Sequence, residues 1–453
     1  MEAPLDQPQQ LNHPPTLAGW ALFDWANSAF ALVITTAIFP PYFETVTTKN
    51  ISFLGTEISN SAWFGYTISL SYLIIALLSP LLSGIADAGG RRKSFLRFFT
   101  LMGGISCLSL FFFEGNLNDN DTLWLGTIAF ALGLIGFAGG LVFYNAFLPV
   151  IATPDRFDKL SARGFAMGYI GSVLLLISNL LMVQKPEWFG ADDLSGLPAW
   201  LGNPDTFMVR LAFATVGLWW LVFATISLSR LPADVRKPGT GLVDMGRRGW
   251  RELMGVWAKV KTNQNTKRFL LAFFSYSAGV QTVIFLASLF AAKELGFETS
   301  QLIIVVLILQ IVAIGGAYAA AAISKRYGNK MAIYVQLFIW TLICLAGYFV
   351  QGQTTFYGVA AAVGLVMGGI QSMSRSTYAK LIPNPEETTS YFSFYDVLEK
   401  IAIVLGTFIF AGLDQLTGSM RLSLLALSVF FVLGMVLLVK FHLAKDGDEA
   451  IAE

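Results

Sequence analysis

The sequence predicts an all-α membrane protein with twelve transmembrane helices in two six-helix pseudo-symmetric halves. Three observations lead to this fold class. Hydrophobic residues make up 55% of the 453 residues and charged residues only 13%, whereas soluble domains usually carry about 25% charged residues. Twelve apolar runs are each near the roughly 20 residues that cross a bilayer as a helix. Finally, parts of the first half of the chain recur in the second half.

The apolar runs are the predicted spans one to twelve. Most are rich in Leu, Ile, Val and Phe with scattered Gly, as membrane helices tolerate. The sequence lacks the short alternating strands of a membrane β-barrel. The limits of the spans are 17–43, 60–85, 93–114, 121–150, 160–184, 206–230, 268–294, 298–324, 330–351, 355–382, 391–413 and 418–441.

The distribution of Lys and Arg predicts the orientation of these spans. Of 30 such residues, five flank the loops after odd-numbered spans, two lie inside spans, and the rest lie after even-numbered spans or near the C-terminus. The positive-inside rule makes the second side cytoplasmic. Both termini are therefore predicted to lie in the cytoplasm.

The chain divides into five predicted segments. Residues 1–16 are a polar, Pro-rich, disordered tail, 17–230 the first half, 231–267 a cytoplasmic linker, 268–441 the second half and 442–453 a second tail. Within the linker, "GWRELMGVWAKVK" predicts an amphipathic helix. This helix either lies on anionic lipid headgroups or only connects the two halves.

An internal repeat relates the two halves. The first span contains "FDWANSAFALVITTAIF" (23–39), which aligns without a gap with "FSYSAGVQTVIFLASLF" (274–290) in the seventh. The loop after span two, "IADAGGRRKS", similarly matches "ISKRYGNKMA" after span eight, and the loops "ATPDRFDK" and "IPNPEETT" follow spans four and ten. Repeated halves of this kind enclose a midplane cavity and rock about it.

The loop after span two resembles the signature of the major facilitator superfamily. The matching positions are Ser83, Asp87, Gly90, Arg91, Arg92 and Lys93, with Ser83 where Gly is usual and Ala88 where a basic residue is usual. In that superfamily the Asp belongs to an ion-pair latch that holds the outward-open state. The resemblance therefore implies a gating role for Asp87, Gly90, Arg91 and Arg92. The alternative is that the cluster only orients the chain.

Within this superfamily, "FDWANSAF" followed by "FPPYF", together with "SARGFAMGYIG" (161–171), resembles the autophagy-related vacuole effluxer-like family. Eukaryotic members are described as exporters of amino acids from the vacuole. In the seventh span, Ala278 stands where that family often has an acidic residue. Independently of the resemblance, the small residues of "RGFAMGYIG" predict close helix packing.

The first span carries a polar face formed by Asp24, Asn27 and Ser28. A charge at the bilayer centre costs about 2.5 kcal/mol or more, so such residues usually pair or serve transport. One hypothesis is that Asp24 binds a proton or the solute and is held by Asn27. The alternative is a structural hydrogen bond that fixes helix packing. If Arg375 lay close to Asp24, the carboxylate would instead remain ionised as a fixed counter-ion.

A second polar cluster is predicted in spans ten and eleven. Arg375 is expected to form an ion pair with Asp396 or Glu399 of the next span, while Lys400 is spaced to pair with Asp396 at i,i+4. In the alternative, Arg375 receives a solute carboxylate, which suits its bidentate fork. The further cavity candidates are Asn145, Gln281, Gln310 and Gln371.

The sequence lacks the motifs GxxxxGK[ST], HExxH and GxSxG and paired cysteines, which argues against an ATP-driven pump, a hydrolase or a metal site. We expect no enzyme activity, no cofactor and no nucleic-acid partner. The leading prediction is a monomeric secondary transporter in contact with membrane lipid. It would move a small polar solute across the bacterial cytoplasmic (inner) membrane, with proton coupling and, by family analogy, amino acid efflux. The alternatives are a proton-coupled importer of an organic anion and a non-transporting scaffold or sensor that uses residues 231–267.

Overall fold

The computed structural model describes residues 11–115, 122–191, 198, 201–235 and 242–443. The first half is formed by six helices: α1 Pro14–Val46, α2 Asn60–Gly89, α3 Arg92–Phe112, α4 Leu123–Ile151, α5 Pro154–Gln184 and α6 Pro204–Arg230. A connecting helix, α7 Leu242–Thr262, leads to the second half. That half contains α8 Gln264–Leu295, α9 Thr299–Tyr327, α10 Asn329–Phe349, α11 Gln353–Lys380, α12 Thr388–Thr417 and α13 Met420–Leu438.

The prediction of twelve membrane helices is confirmed. Within the described ranges, eleven helices are long and apolar enough to cross a membrane. The twelfth membrane helix, α12, spans 30 residues but carries Asp396, Glu399 and Lys400 in its interior. These charges lower the mean hydropathy of α12. They are tolerated because all three side chains line the cavity described below.

Several helices are longer than the predicted spans. Helix α1 begins at Pro14 because proline suits the first turn of a helix, where its missing N–H leaves no bond unmade. Helix α8 begins at Gln264, inside the predicted linker, because the side chain of Asn263 caps its N-terminus. The predicted tails fall largely on residues 1–10 and 444–453, and part of the linker on 236–241, all of which lie outside the described residues.

The middle of α1 is a π-helix from Phe30 to Ile38. The Thr36 hydroxyl donates a 2.8 Å hydrogen bond to the carbonyl of Ala31, five residues earlier. The following residues are Pro40 and Pro41, which have no N–H to donate to the preceding turn. This π-helical segment faces the cavity described below, because Ala31, Leu32 and Thr36 line that cavity.

Helices α1 and α5 pack closely through glycines, as the small-residue pattern predicts. A Cβ atom on Gly168 would lie 2.5 Å from the Ser28 hydroxyl oxygen, and one on Gly171 would lie 2.8 Å from the Trp25 carbonyl oxygen. The absence of side chains at these positions brings α1 against α5. This contact presents the polar face of α1 to the centre of the molecule.

Equivalent helices pack in the same way in both halves: α1 lies against α6, and α8 lies against α13. Opposite ends of the bundle differ in charge. We call the end where α2, α4, α9 and α11 finish the basic end, because Arg91, Arg92, Arg156, Lys325 and Lys380 lie there. A short hairpin, β1 Asn50–Phe53 and β2 Thr56–Ser59, lies at the opposite end, and Leu54 and Gly55 form its turn with positive φ.

Candidate functional site

A cavity of about 340 Å³ lies between the two halves. Its walls come from α1, α2, α4 and α5 of the first half and from α8, α9, α11 and α12 of the second. Every side chain that the sequence predicted for solute or proton coupling lines this cavity. They are Asp24, Asn27, Ser28, Asn145, Gln281, Gln310, Gln371, Arg375, Asp396 and Glu399.

An ion pair between Asp24 and Arg375 joins the two halves at one wall of the cavity. Nη1 and Nη2 of Arg375 each lie 3.2 Å from Oδ2 of Asp24. The hydroxyl of Tyr144 donates a 2.8 Å hydrogen bond to the same oxygen. Both charged side chains are almost completely buried, with exposed fractions of 3% and 6%. The pair is therefore shielded from water on a contact between α1 and α11.

The rest of the Arg375 guanidinium is also bound by the first half. Nε donates to the Ser161 hydroxyl and Nη2 to the Ser161 carbonyl, both at 2.9 Å. Nη1 also donates to Oδ1 of Asn145 at 3.3 Å. The guanidinium lies 4.7 Å from the ring centre of Trp20 and 4.2 Å from that of Phe165. A planar, delocalised cation is suited to such stacking, so Arg375 of the second half is held almost entirely by the first.

Two predictions about this wall are wrong. Arg375 does not form its ion pair with Asp396 or Glu399 but with Asp24, because α11 faces α5 and α1 at this position. Asp24 is not held by Asn27, since its bonds come from Tyr144 and Arg375. With a cation this close, Asp24 meets the condition for an ionised counter-ion of Arg375 in this conformation.

A second charged group lies on α12. Lys400 donates to Oδ1 of Asp396, one turn away, as their spacing predicts. Glu399 accepts a 2.9 Å hydrogen bond from Nε2 of Gln281 on α8. Its partner is thus an uncharged amide, although Lys400 is the next residue in the chain.

The remaining predicted side chains have distinct settings. Gln371 accepts a 2.7 Å hydrogen bond from the Tyr169 hydroxyl, which joins α11 to α5. Ser28 lies against Gly168. The side-chain oxygens of Asn27 and Gln310 are buried and have no hydrogen-bond partner among the described residues. They leave two acceptors free near the cavity.

The predicted gating residues form what we call the Asp87 cluster at the basic end. Oδ1 of Asp87 lies 3.2 Å from Nη2 of Arg92, and Oδ2 accepts a 2.7 Å hydrogen bond from the backbone N–H of Ser390 on α12. Arg92 also donates to the Thr389 hydroxyl at 2.9 Å. The cluster joins the end of α2 and the start of α3 to the start of α12 in the other half.

Gly90 and Arg91 shape the turn that positions this cluster. Gly90 ends α2 with φ +61°, a conformation that favours glycine. The backbone N–H of Arg91 closes the helix end by donating to the Ala86 carbonyl at 2.9 Å. Across the described part of the chain, the ion pairs include Arg92 but not Arg91.

A matching group, the Asp158 cluster, was missed by the sequence analysis. Asp158 at the start of α5 accepts hydrogen bonds from Nδ2 of Asn329 at 2.7 Å and the Ser324 hydroxyl at 2.8 Å, and Nζ of Lys380 lies 3.2 Å away. It joins the first half to the end of α9 and the start of α10. The loop "ATPDRFDK" that contains Asp158 was matched in the repeat with "IPNPEETT", which contains Thr389 of the Asp87 cluster, and this match was the available signal. Tyr144 was also missed, because it stands in an apolar run.

Comparison with known proteins gives consistent findings. The sequence model described as "Vacuole effluxer Atg22 like" matches residues 12–450. An uncharacterised transporter of the major facilitator type from Bacillus subtilis, YxiO, is 31% identical over 92% of this chain and 93% of its own length. Autophagy-related protein 22 of Coccidioides immitis is 26% identical over 97% of this chain and 81% of its own length.

Solved structures show the same fold. The major facilitator superfamily transporter FucP in its outward conformation has a TM-score of 0.69 and 13% identity, over 94% of this chain and 98% of FucP. The human organic anion transporter MFSD10 has a TM-score of 0.65 and 15% identity, over 96% of this chain and all of MFSD10. At these identities the likeness establishes the fold alone.

Proposed function

Because this chain belongs to the vacuole effluxer Atg22-like family of membrane transporters, we propose that it moves a small polar solute across the bacterial cytoplasmic membrane by alternating access. The observation that carries this proposal is the cavity between the two halves, which is lined by all ten side chains predicted for solute or proton coupling. A membrane scaffold or sensor has no need to bury the four charged side chains Asp24, Arg375, Asp396 and Lys400 along a cavity, because each burial is costly.

The contacts between the halves support a state that is closed at the basic end. They include the Asp24–Arg375 pair, the Tyr169–Gln371 hydrogen bond, and the Asp87 and Asp158 clusters. Opening this end requires all of them to break. We place the basic end in the cytoplasm by the positive-inside rule, with both termini on the same side. In this orientation, the structure corresponds to an outward-facing transporter.

The Asp24–Arg375 pair provides a route to proton coupling. When α1 and α11 separate at the basic end, each charge loses its partner. A buried charge left unpaired costs several kcal/mol, and protonation of Asp24 removes that cost for the carboxylate. A proton that reaches Asp24 through the cavity would therefore break the pair and let the basic end open, and its release into the cytoplasm would let the pair re-form. This sequence moves a proton inward as the solute moves outward.

Efflux of an amino acid is the form of transport that the family description favours. The family is described by its vacuolar effluxers, and several fungal relatives carry the name autophagy-related protein 22. Export from the cytoplasm is the bacterial counterpart of that direction. Import of an organic anion would need Arg375 free to accept it, whereas Arg375 is here engaged by Asp24.

The test is metabolite profiling of cells that lack the gene, complemented by variants. We expect a polar solute to accumulate in the deletion cells and to return to its normal level with the wild-type gene. Asp24→Asn should fail to restore it. The matched control is Glu294→Gln, which breaks the ion pair with Arg421 inside the second half and should restore the solute.

Other outcomes identify the alternatives. A solute that is depleted in deletion cells supplied with it externally would indicate import. An unchanged profile in all strains would contradict the transport proposal and favour a scaffold. Proton coupling is tested separately in liposomes that contain the purified protein and a trapped pH-sensitive dye. Addition of the identified solute should change the internal pH with wild-type protein but not with Asp24→Asn.

A further inference from the structure

The charges that line the cavity do not balance. The lining contains the carboxylates of Asp24, Asp396 and Glu399 but only two cations, Arg375 and Lys400. Two ion pairs, Asp24–Arg375 and Asp396–Lys400, engage both cations. Glu399 is left over, and with all these groups ionised the lining carries one net negative charge.

The surroundings of Glu399 do not supply the missing cation. Its described hydrogen bond comes from Nε2 of Gln281, which is neutral. In the part of the chain that the structure describes, no ion pair within 4.0 Å includes Glu399. A carboxylate inside a membrane protein usually pairs with a cation or serves a transport pathway. Here the cavity is the place from which a cation can reach it.

Two unsatisfied acceptors point to the same kind of ligand. Oδ2 of Asp396 and Oδ1 of Asn27 are buried and have no hydrogen-bond partner among the described residues. Their residues are only 6% and 1% exposed, yet both line the cavity. Buried acceptors of this kind are normally satisfied, so a ligand that occupies the cavity should bring donors. An ammonium group has three donors and no acceptor.

Aromatic walls and the engaged arginine favour a cation over an anion. Tyr72, Phe273 and Tyr395 line the cavity, and Phe273 and Tyr395 are stacked with ring centres 4.0 Å apart. Aromatic faces attract ammonium groups. In contrast, the donors of Arg375 are bonded to Asp24, Ser161 and Asn145. A solute carboxylate therefore meets no free guanidinium in this conformation.

We infer that the transported solute is an amine cation, whose ammonium group binds between Glu399 and Asp396. This inference rests on the proposed transport function and specifies its substrate class. The cavity of about 340 Å³ is at the lower end of the roughly 300–1,000 Å³ typical of small-molecule sites, so the solute is small. A carboxylate on the solute is not required for binding.

The test compares three compounds with the same four-carbon chain and different charges. Purified protein is titrated calorimetrically with butylamine, butyric acid and 4-aminobutyric acid at neutral pH. We expect butylamine to bind, butyric acid to show no heat of binding, and 4-aminobutyric acid to bind no more tightly than butylamine. This comparison uses wild-type protein and so does not depend on the folding of a variant.

A variant then locates the site. Glu399→Gln should weaken butylamine binding at least tenfold, while the control Glu294→Gln should leave it unchanged. Tighter binding of butyric acid, tenfold tighter binding of 4-aminobutyric acid, or no binding of butylamine would each overturn the inference. So would unchanged butylamine affinity in Glu399→Gln.

Failure of the proposed transport function can be distinguished from failure of this inference about the substrate. If deletion cells accumulate a solute without an amine, transport stands and only the substrate class falls. If their metabolite profile does not change, the transport proposal falls and this inference with it.

Discussion

Replacement of Asp24 by Asn should open the basic end of the molecule. Asn has nearly the same size and keeps an oxygen that Arg375 can reach, so the main change is the loss of one negative charge. Arg375, whose side chain is 3% exposed, would then remain buried without its counter-ion. The state with α1 and α11 separated lacks this pair in wild-type protein as well, so the substitution penalises the closed state selectively.

The size of the effect follows from the geometry. The nitrogen and oxygen atoms lie 3.2 Å apart, and two unit charges at about 4 Å attract by about 4 kcal/mol at an effective dielectric constant of 20. Removing one partner of a buried pair typically costs about 3–5 kcal/mol, in agreement with this value. Since 1.4 kcal/mol is a factor of ten, the ratio of closed to open molecules should fall roughly 100- to 4,000-fold.

The assay is a distance measurement between spin labels by double electron–electron resonance. Labels at Arg156→Cys and Arg326→Cys lie on α5 and α9 at the basic end, on opposite halves, and both native positions are exposed. The native cysteines, Cys107 and Cys344, are buried. We expect a single short distance in the otherwise wild-type protein and a longer distance that dominates in Asp24→Asn.

A matched control and a compensating variant complete the experiment. Glu294→Gln breaks an ion pair of 2.9 Å within the second half and should keep the short distance. Asp24→Asn combined with Arg375→Gln removes the orphaned charge and should recover part of the short-distance population. Identical distributions for wild type and Asp24→Asn would refute the reasoning, because the pair would then contribute nothing to closure.

Three further predictions concern the other contacts between the halves. Asp87→Asn should weaken the hydrogen bonds that the Asp87 carboxylate accepts, which are worth about 1.5–3 kcal/mol each because the group is charged. The same spin-label distance should therefore lengthen and transport should decrease. Wild-type turnover of the purified variant would contradict this prediction. Asp158→Asn should lengthen that distance too, whereas Asp155→Asn, a largely exposed neighbour, should not. Gly164→Ala would place a Cβ 2.9 Å from the buried guanidinium, and such overpacking should cost about 1–3 kcal/mol. Its melting temperature should fall, while Gly65→Ala, with open space around it, should not lower it.

The helices could be predicted from the sequence because each needs only a local property, a run of apolar residues long enough to cross the bilayer. The members of the cavity could also be predicted, since polar residues in membrane helices usually face the bundle interior. The spacing of Lys400 and Asp396 likewise identified an ion pair within one helix turn.

The partner of Arg375 could not be predicted in this way. It lies 351 residues away, and the choice between Asp24 and the nearer Asp396 depends on how closely α11 approaches α1 and α5. Glycines such as Gly164 set that approach, and sequence periodicity does not show which helix will fill the space they leave. Asp158 was missed because a polar residue at a helix start is ordinary by itself, and only the repeat of its loop in the second half indicated a role.

The two clusters at the basic end carry their carboxylates in different places. In the Asp87 cluster the carboxylate is in the last turn of α2, and the start of α12 supplies the N–H donor. In the Asp158 cluster the carboxylate is at the start of α5, and the end of α9 and the start of α10 supply the donors Ser324 and Asn329. In each cluster, therefore, a carboxylate of the first half meets hydrogen-bond donors of the second half.

This arrangement has a consequence for assembly in a crowded membrane. If the first halves of two nascent chains met in the same geometry, Asp87 of one would face Asp158 of the other, and the two carboxylates would repel. Repulsion of like charges disfavours wrong partners. The sequence divergence of the two repeats thus favours pairing of a first half with a second half over pairing of two first halves.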